Sequence, residues 1–281
     1  MYQLLCTPKL PHCTNLNTTK LSMTKLPTIT KKQESIITLI FRFRFLNRIQ
    51  IQKLLNHKDY KTINDWLRDL TEKEYIYRIY DPRHAGNTKP AIYYTTKNGI
   101  AYIKFQNGGD AKVVQKLYRE KTRSKSFIEA CQLLADIYLD LTNRANDQVS
   151  FEISVRRDYP AHALGDMLSE ISPHAFIEQR ASNQTKQYFI ETFINQPAEL
   201  LRMRIKKYLS YYQASEWEAE THMPFPTILF VCPDEKTLTY IKQYTKKKLK
   251  MLDEADLNIQ ITENENVKEF GITGDIWTQI N

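Results

Sequence analysis

Between Lys61 and Ile103 the hydrophobic period changes from that of a helix to that of paired strands and back. No other feature constrains the fold as much. Ile63, Trp66, Leu67 and Leu70 recur at i, i+3, i+4 and i+7, one face of an amphipathic helix. "YIYRIYD" and "AIYYT" follow, alternating and rich in β-formers. Between them "PRHAGNTKP" supplies the Pro, Gly and Asn of a turn. Thr96 then opens a short helix through Ile100 and Ile103.

Two helices precede this unit. Thr30, with Gln33 three residues on, has the form of a capping box. Ile36, Ile37, Ile40 and Phe41 then line one face, and "RFRFLN" ends the helix. Asn47 caps a second helix carrying Ile51, Leu54 and Leu55, and Asp59 caps the third. Helix, helix, helix, strand, turn, strand, helix is the order of a winged helix-turn-helix, expected over residues 28–105. A unit this small gains from a two-stranded wing that helps cover its core.

Charge gives this unit a direction. Residues 28–105 hold fifteen basic and seven acidic side chains, a net of +8, which equals the net of all 281 residues. A local excess of this kind suits a polyanion. The polar face of the third helix offers Lys61, Asn64, Asp65 and Arg68, with Lys58 just before it. Asp65 can accept from a cytosine amine or pair with Arg68 or Lys61 on the helix surface. Arg83, His84 and Lys89 lie in the wing turn, placed for phosphates or the minor groove. Double-stranded DNA is the expected partner. Winged helices often read two half-sites, which makes a homodimer compatible with this reading.

The rest of the composition excludes several classes. Hydrophobic residues make up 42% of the chain, and with only 7 Gly and 11 Pro it can build a proper core. No apolar run approaches membrane length. Residues 1–27 lack both a signal-peptide pattern and periodicity, so a disordered tail is expected there, with Met23 an alternative start. Cys6, Cys13, Cys131 and Cys232 are too scattered for a zinc site, and a reduced, cytoplasmic chain without cofactor fits them best.

Residues 106–125, including the basic "YREKTRSKS", are read as a linker and 126–281 as a second, mixed α/β domain. A long helix runs through Phe127, Ala130, Leu134, Ile137 and Leu141. Strands are expected at "VSFEISV", "PHAFIEQ", "YFIETFI" and the fully apolar "TILFVC". Helices are expected at "AELLRMRIKKYLSYYQ" and "EKTLTYIKQYTKKKLKML", and "NIQIT" is a last strand. On the first of these helices Leu201, Ile205, Tyr208 and Tyr212 form the core face. Arg202, Arg204, Lys206 and Lys207 are read as solvated. The chain as a whole is therefore α+β.

The stretches "ITKKQESIITLIFRFRFLN", "TINDWLRDLTEKEYIYR" and "IYYTTKNGIAYI" together resemble the replication-relaxation family, including a Thr-x-x-Gly wing end at Thr96 and Gly99. The resemblance implies a plasmid or other mobile element as context. It also implies a relaxase or replication initiator as protein partner, and a C-terminal part patterned on the PD-(D/E)xK nuclease core. Such nucleases hold a divalent metal between an Asp and a Glu, with a Lys two residues after the Glu. Here the Pro-Asp step falls on Pro173-His174, the Glu on Glu191 and the Lys on Phe193. One carboxylate of the pair remains and the lysine is missing. Glu178 is nearby but is not where the family places a ligand. His174 and Glu191 are thus weak catalytic candidates, and no metal site is expected. Glu191 is read as an ordinary polar residue on a strand face. The expectation is a DNA-binding protein with an inactive nuclease-like domain. The alternatives are a divergent metal-dependent nuclease and a protein-interaction module whose winged helix does not touch DNA.

Overall fold

The computed structural model of the chain describes residues 26–80, 90–106, 117–182, 184–194, 196–252 and 257–281. The architecture is mixed α+β. Its first part holds α1 (Lys31–Phe43), β1 (Leu46–Asn47), α2 (Arg48–Leu54), α3 (Tyr60–Glu72), β2 (Ile76–Ile79), β3 (Ile92–Thr95) and α4 (Lys97–Gln106).

Local chemistry sets the helix starts. Thr30 and Gln33 close a reciprocal capping box on α1, and Asn47 and Gln50 close another on α2. The Asp59 carboxylate accepts from the Lys61 and Thr62 amides at the start of α3. Helix α1 ends at Arg44, which takes φ 71 and ψ −47. The Phe45 amide there donates to the Phe43 carbonyl at 2.9 Å, closing a tight three-residue turn.

Strands β2 and β3 pair antiparallel, and β3 also pairs with β1. The third strand was not predicted, because two residues are too few to show a period. Ile36, Ile37, Ile40, Ile63, Leu67 and Leu70 are buried in the core below. Trp66 is only partly buried and meets the His57 ring edge-on at 5.1 Å. Leu26, near the end of the expected tail, packs against this core, and Tyr75 donates its hydroxyl proton to the Pro27 carbonyl. The rest of that tail, residues 1–25, lies outside the described residues.

The Thr96 to Gly99 step has a clear physical reason. The Thr96 hydroxyl lies on the Glu74 and Tyr75 carbonyls and accepts from the Gly99 amide at 3.2 Å. A Cβ on Gly99 would stand 2.3 Å from the Tyr75 carbonyl oxygen. Only glycine lets α4 approach the start of β2 so closely.

The second part begins with a short 3-10 turn (Leu117–Thr122) inside the expected linker, followed by α5 (Lys125–Arg144). Then come β4 (Val149–Val155), a 3-10 turn (Tyr159–Ala161), α6 (Gly165–Ile171), β5 (Ala175–Ala181) and β6 (Gln184–Thr192). They are followed by α7 (Ala198–Gln213), α8 (Glu216–Thr221), β7 (Thr227–Cys232), α9 (Glu235–Leu249), β8 (Ile259–Glu263), α10 (Asn264–Phe270) and β9 (Thr278–Gln279). The sheet order is β4-β5-β6-β7-β8-β9. Strands β4 to β6 are antiparallel, β6 to β8 parallel, and β9 runs antiparallel at the edge.

Alternation along the strands builds two faces. Ile153, Ile177, Ile190 and Leu229 face α5, through Leu133, Ile137 and Leu141. Phe176, Phe189, Phe230 and Ile261 face α6 to α9, where Trp217, Tyr208 and Ile205 are fully buried. The α5 side is one continuous apolar core with the first part of the chain. Polar ties cross the same boundary. Gln50 donates to the Gln132 carbonyl and the Asp136 carboxylate, and Arg42 to the Asp158 carboxylate.

Candidate nucleic-acid interface

Helix α3 divides cleanly into two faces. Burying Ile63, Leu67 and Leu70 leaves Lys61, Asn64, Asp65 and Arg68 exposed, with Lys58 exposed just ahead of the Asp59 cap. The Asp65 carboxylate accepts from Arg68 Nη2 at 2.7 Å, and both side chains are more than 60% exposed. Such a pair contributes about 0–1 kcal/mol and yields readily to a competing anion. Arg83, His84 and Lys89 lie outside the described residues. Strand β2 presents Tyr77 and Ile79 to solvent, as does Tyr80 just after it, with the Arg78 guanidinium 4.5 Å from the Tyr80 ring centre.

His174 and Glu191 do come together, but not as a metal site. His174 Nδ1 is 2.8 Å from Glu191 Oε1. The other oxygen, Oε2, accepts from Arg204 Nε at 2.6 Å and from the Tyr208 hydroxyl at 2.8 Å. Arg204 also donates to the Ile171 and Ser172 carbonyls that end α6. Glu191 is 2% exposed, so the reading of it as an ordinary strand-face residue is corrected. Arg204 is likewise not solvated but holds this network. A signal for it was present: Leu201, Arg204 and Tyr208 share one stripe of α7, at i, i+3 and i+7.

The electrostatics follow from these contacts. Burial alone would raise the Glu191 pKa. The charges of His174 and Arg204 outweigh it and hold the carboxyl well below its usual range. Burial acts first on His174 too and lowers its pKa despite the carboxylate. Two contacts compete for His174 Nδ1, since the Thr192 amide also lies 3.0 Å away. With Glu191 ionised, an Nδ1 proton donated to Oε1 avoids opposing two lone pairs, so that is the coherent tautomer. Both carboxylate oxygens are then occupied by donors. Phe193, at the lysine position, is buried against Phe230 with ring centres 4.9 Å apart.

A second group was missed because its members are far apart in sequence. Glu152 and Glu178 are register partners on β4 and β5, and with His162 they place ligand atoms within 4.8 Å of one another. Arg180 already meets both carboxylates, at 3.1 and 3.5 Å. His162 Nδ1 accepts from the Leu164 amide, which leaves the proton on Nε2 and no lone pair there for a metal. Among the described residues no helix is long and apolar enough to cross a membrane.

Two solved structures are weakly similar to stretches of this chain. The transcriptional regulator SlyA is 21% identical, over 41% of this chain and 74% of its own, with a TM-score of 0.24. The restriction endonuclease FokI is 11% identical over 85% of this chain, with a TM-score of 0.32, and the match spans only 43% of the FokI chain. No curated protein matches with significance. The sequence profile described as replication-relaxation matches residues 37–228, more than half of the chain, and the chain belongs to that family.

Proposed function

We propose that this protein binds DNA for a bacterial plasmid or mobile element. It acts in replication, DNA relaxation or mobilisation, or in their regulation, beside a relaxase or replication initiator. The first part is a winged helix-turn-helix that lays α3 in a major groove. The second is a nuclease-like domain that has become a platform. The observation that carries this reading is the α3 face, with Lys58, Lys61, Asn64 and Arg68 exposed over a buried apolar stripe in a unit of net charge +8.

The division of labour is testable. Lys61, in the first turn, holds a phosphate, and Asn64 and Arg68 suit adenine and guanine edges at about 1–3 kcal/mol per bidentate contact. Asn64→Ala and Arg68→Ala are expected to reduce discrimination between target and random duplex. Lys61→Ala, Arg83→Ala and Lys89→Ala are expected to weaken binding to every sequence and flatten the salt slope. Titrations of the full chain at several salt concentrations decide it. Unchanged affinity and slope across the set would favour a protein-interaction module instead.

A metal-dependent nuclease is the second reading; the neighbouring Glu152 and Glu178 carboxylates favour it, against the Arg180 that occupies both of them and the His162 ring that offers no lone pair. Supercoiled plasmid incubated with the protein and Mg²⁺ or Mn²⁺ is expected to stay intact, because Glu191 has no free oxygen and Phe193 replaces the lysine. Nicking that disappears in Glu191→Ala or Glu178→Ala would replace the first reading with the second.

A further inference from the structure

Where α1 meets the sheet, five guanidinium groups gather around two carboxylates. Glu120, with a side chain only 5% exposed, has three of them: Arg44 at 2.7 Å, Arg157 at 3.4 Å and Arg123 at 3.9 Å. Asp158 has the fourth, Arg42, at 2.8 Å. The fifth, Arg156, meets no carboxylate among the described residues and donates to the Ser172 and Pro173 carbonyls. Arg42, Arg44, Arg156 and Arg157 line a small cavity of about 40 Å³, and His174 closes one side of it.

The charges do not balance. Five cations face two anions, a surplus of three, in a place where four of the guanidiniums are half-buried and poorly screened. Arg157 shows the strain. Burial first, then the neighbouring charges of Arg44 and Arg123, push its pKa down to about 10 despite Glu120. The rings of Phe127 and Phe41 lie 4.4 to 5.0 Å from the guanidiniums of Arg44, Arg123 and Arg157 and hold them in place. Arg44 is carried by the tight turn after α1, at a positive φ unfavourable for a side chain with a Cβ.

We propose that this junction is a phosphate-binding site, with the N–H groups of Arg156 and Arg157 that the Ser172 and Pro173 carbonyls and Glu120 leave over, and the cavity they line, taking the anion's oxygens. Planar guanidiniums match phosphate geometry, and their bonds to an anion are charge-assisted. The inference goes beyond the DNA-reading role of α3 and does not require that helix to touch DNA. The phosphate belongs either to a nucleic-acid backbone or to a free phosphoryl ligand, and both present the same chemistry.

Melting curves of the full chain with inorganic phosphate, against chloride at matched ionic strength, test the site. A saturable rise in melting temperature is expected with phosphate alone. Arg156→Gln and Arg157→Gln are each expected to weaken the phosphate response about tenfold, the loss of one charge-assisted contact. Arg156→Gln leaves the Glu120 cluster untouched, so it keeps the test valid if Arg157→Gln fails to fold. Weaker duplex binding in Arg156→Gln identifies a backbone phosphate, and unchanged duplex binding identifies a free phosphoryl ligand. No saturable response, or one that both variants leave at the parent's strength, overturns the proposal. A phosphate response that persists while Lys61, Asn64 and Arg68 variants bind DNA normally would leave this site standing and remove the α3 reading.

Discussion

Replacing Arg204 with methionine should destabilise the chain by about 3–5 kcal/mol, the cost of stripping one partner from a buried ion pair. The guanidinium is the permanent cation on Glu191, and it also satisfies the last carbonyls of α6. Its loss leaves a carboxylate at 2% exposure with only His174 and Tyr208. Denaturant titration measures the change directly. The acid dependence has a definite sign. The folded pKa of Glu191 lies below the ordinary 4.5, so its contribution is complete above that value and is lost as pH falls beneath it. The folded pKa of His174 also lies below the ordinary 6.5, so the unfolded chain takes up that proton first. Stability therefore starts to fall below about pH 6.5 and falls further in the carboxylate range. In Glu191→Gln the carboxylate part of this loss should be absent. An identical acid profile in that variant would show that Glu191 is not held ionised.

Gly99→Ala should cost about 2–3 kcal/mol, at the upper end of overpacking effects. The added methyl would meet a backbone oxygen at 2.3 Å, and a carbonyl already bonded to Thr96 cannot swing aside as a side chain would. Either α4 moves off β2 or the Thr96 contacts break. Thermal melts and the chemical shifts of Tyr75 and Thr96 would report which. A variant as stable as the parent would mean that the approach of α4 to Tyr75 is looser than described.

What was legible in the sequence was local. Thr30, Asn47 and Asp59 each cap a helix through an amide two or three residues away, so their spacing carries the information. Strands β4 and β7 and helix α7 coincide with their apolar patterns to the residue. Helices α6, α8 and α10 were missed because six or seven residues with one or two buried positions show no period. The surroundings of Glu191 were legible only as the α7 stripe that carries Arg204 and Tyr208, for a different reason. Its partners lie on a strand start and on another helix, and nothing near position 191 announces them. The arginine junction combines Arg44, Glu120 and Arg157, which only the packing of α1 against the sheet brings together.

The apolar core that α5 shares with both parts of the chain has a thermodynamic consequence. Elements with a common interior melt together, and free energy gained anywhere in such a cooperative unit is gained by all of it. An anion captured at the proposed α1 junction would thus steady both parts of the chain without any relay of moving parts. If α3 and the arginine junction both bind as proposed, they would act as two grips on one cooperative body.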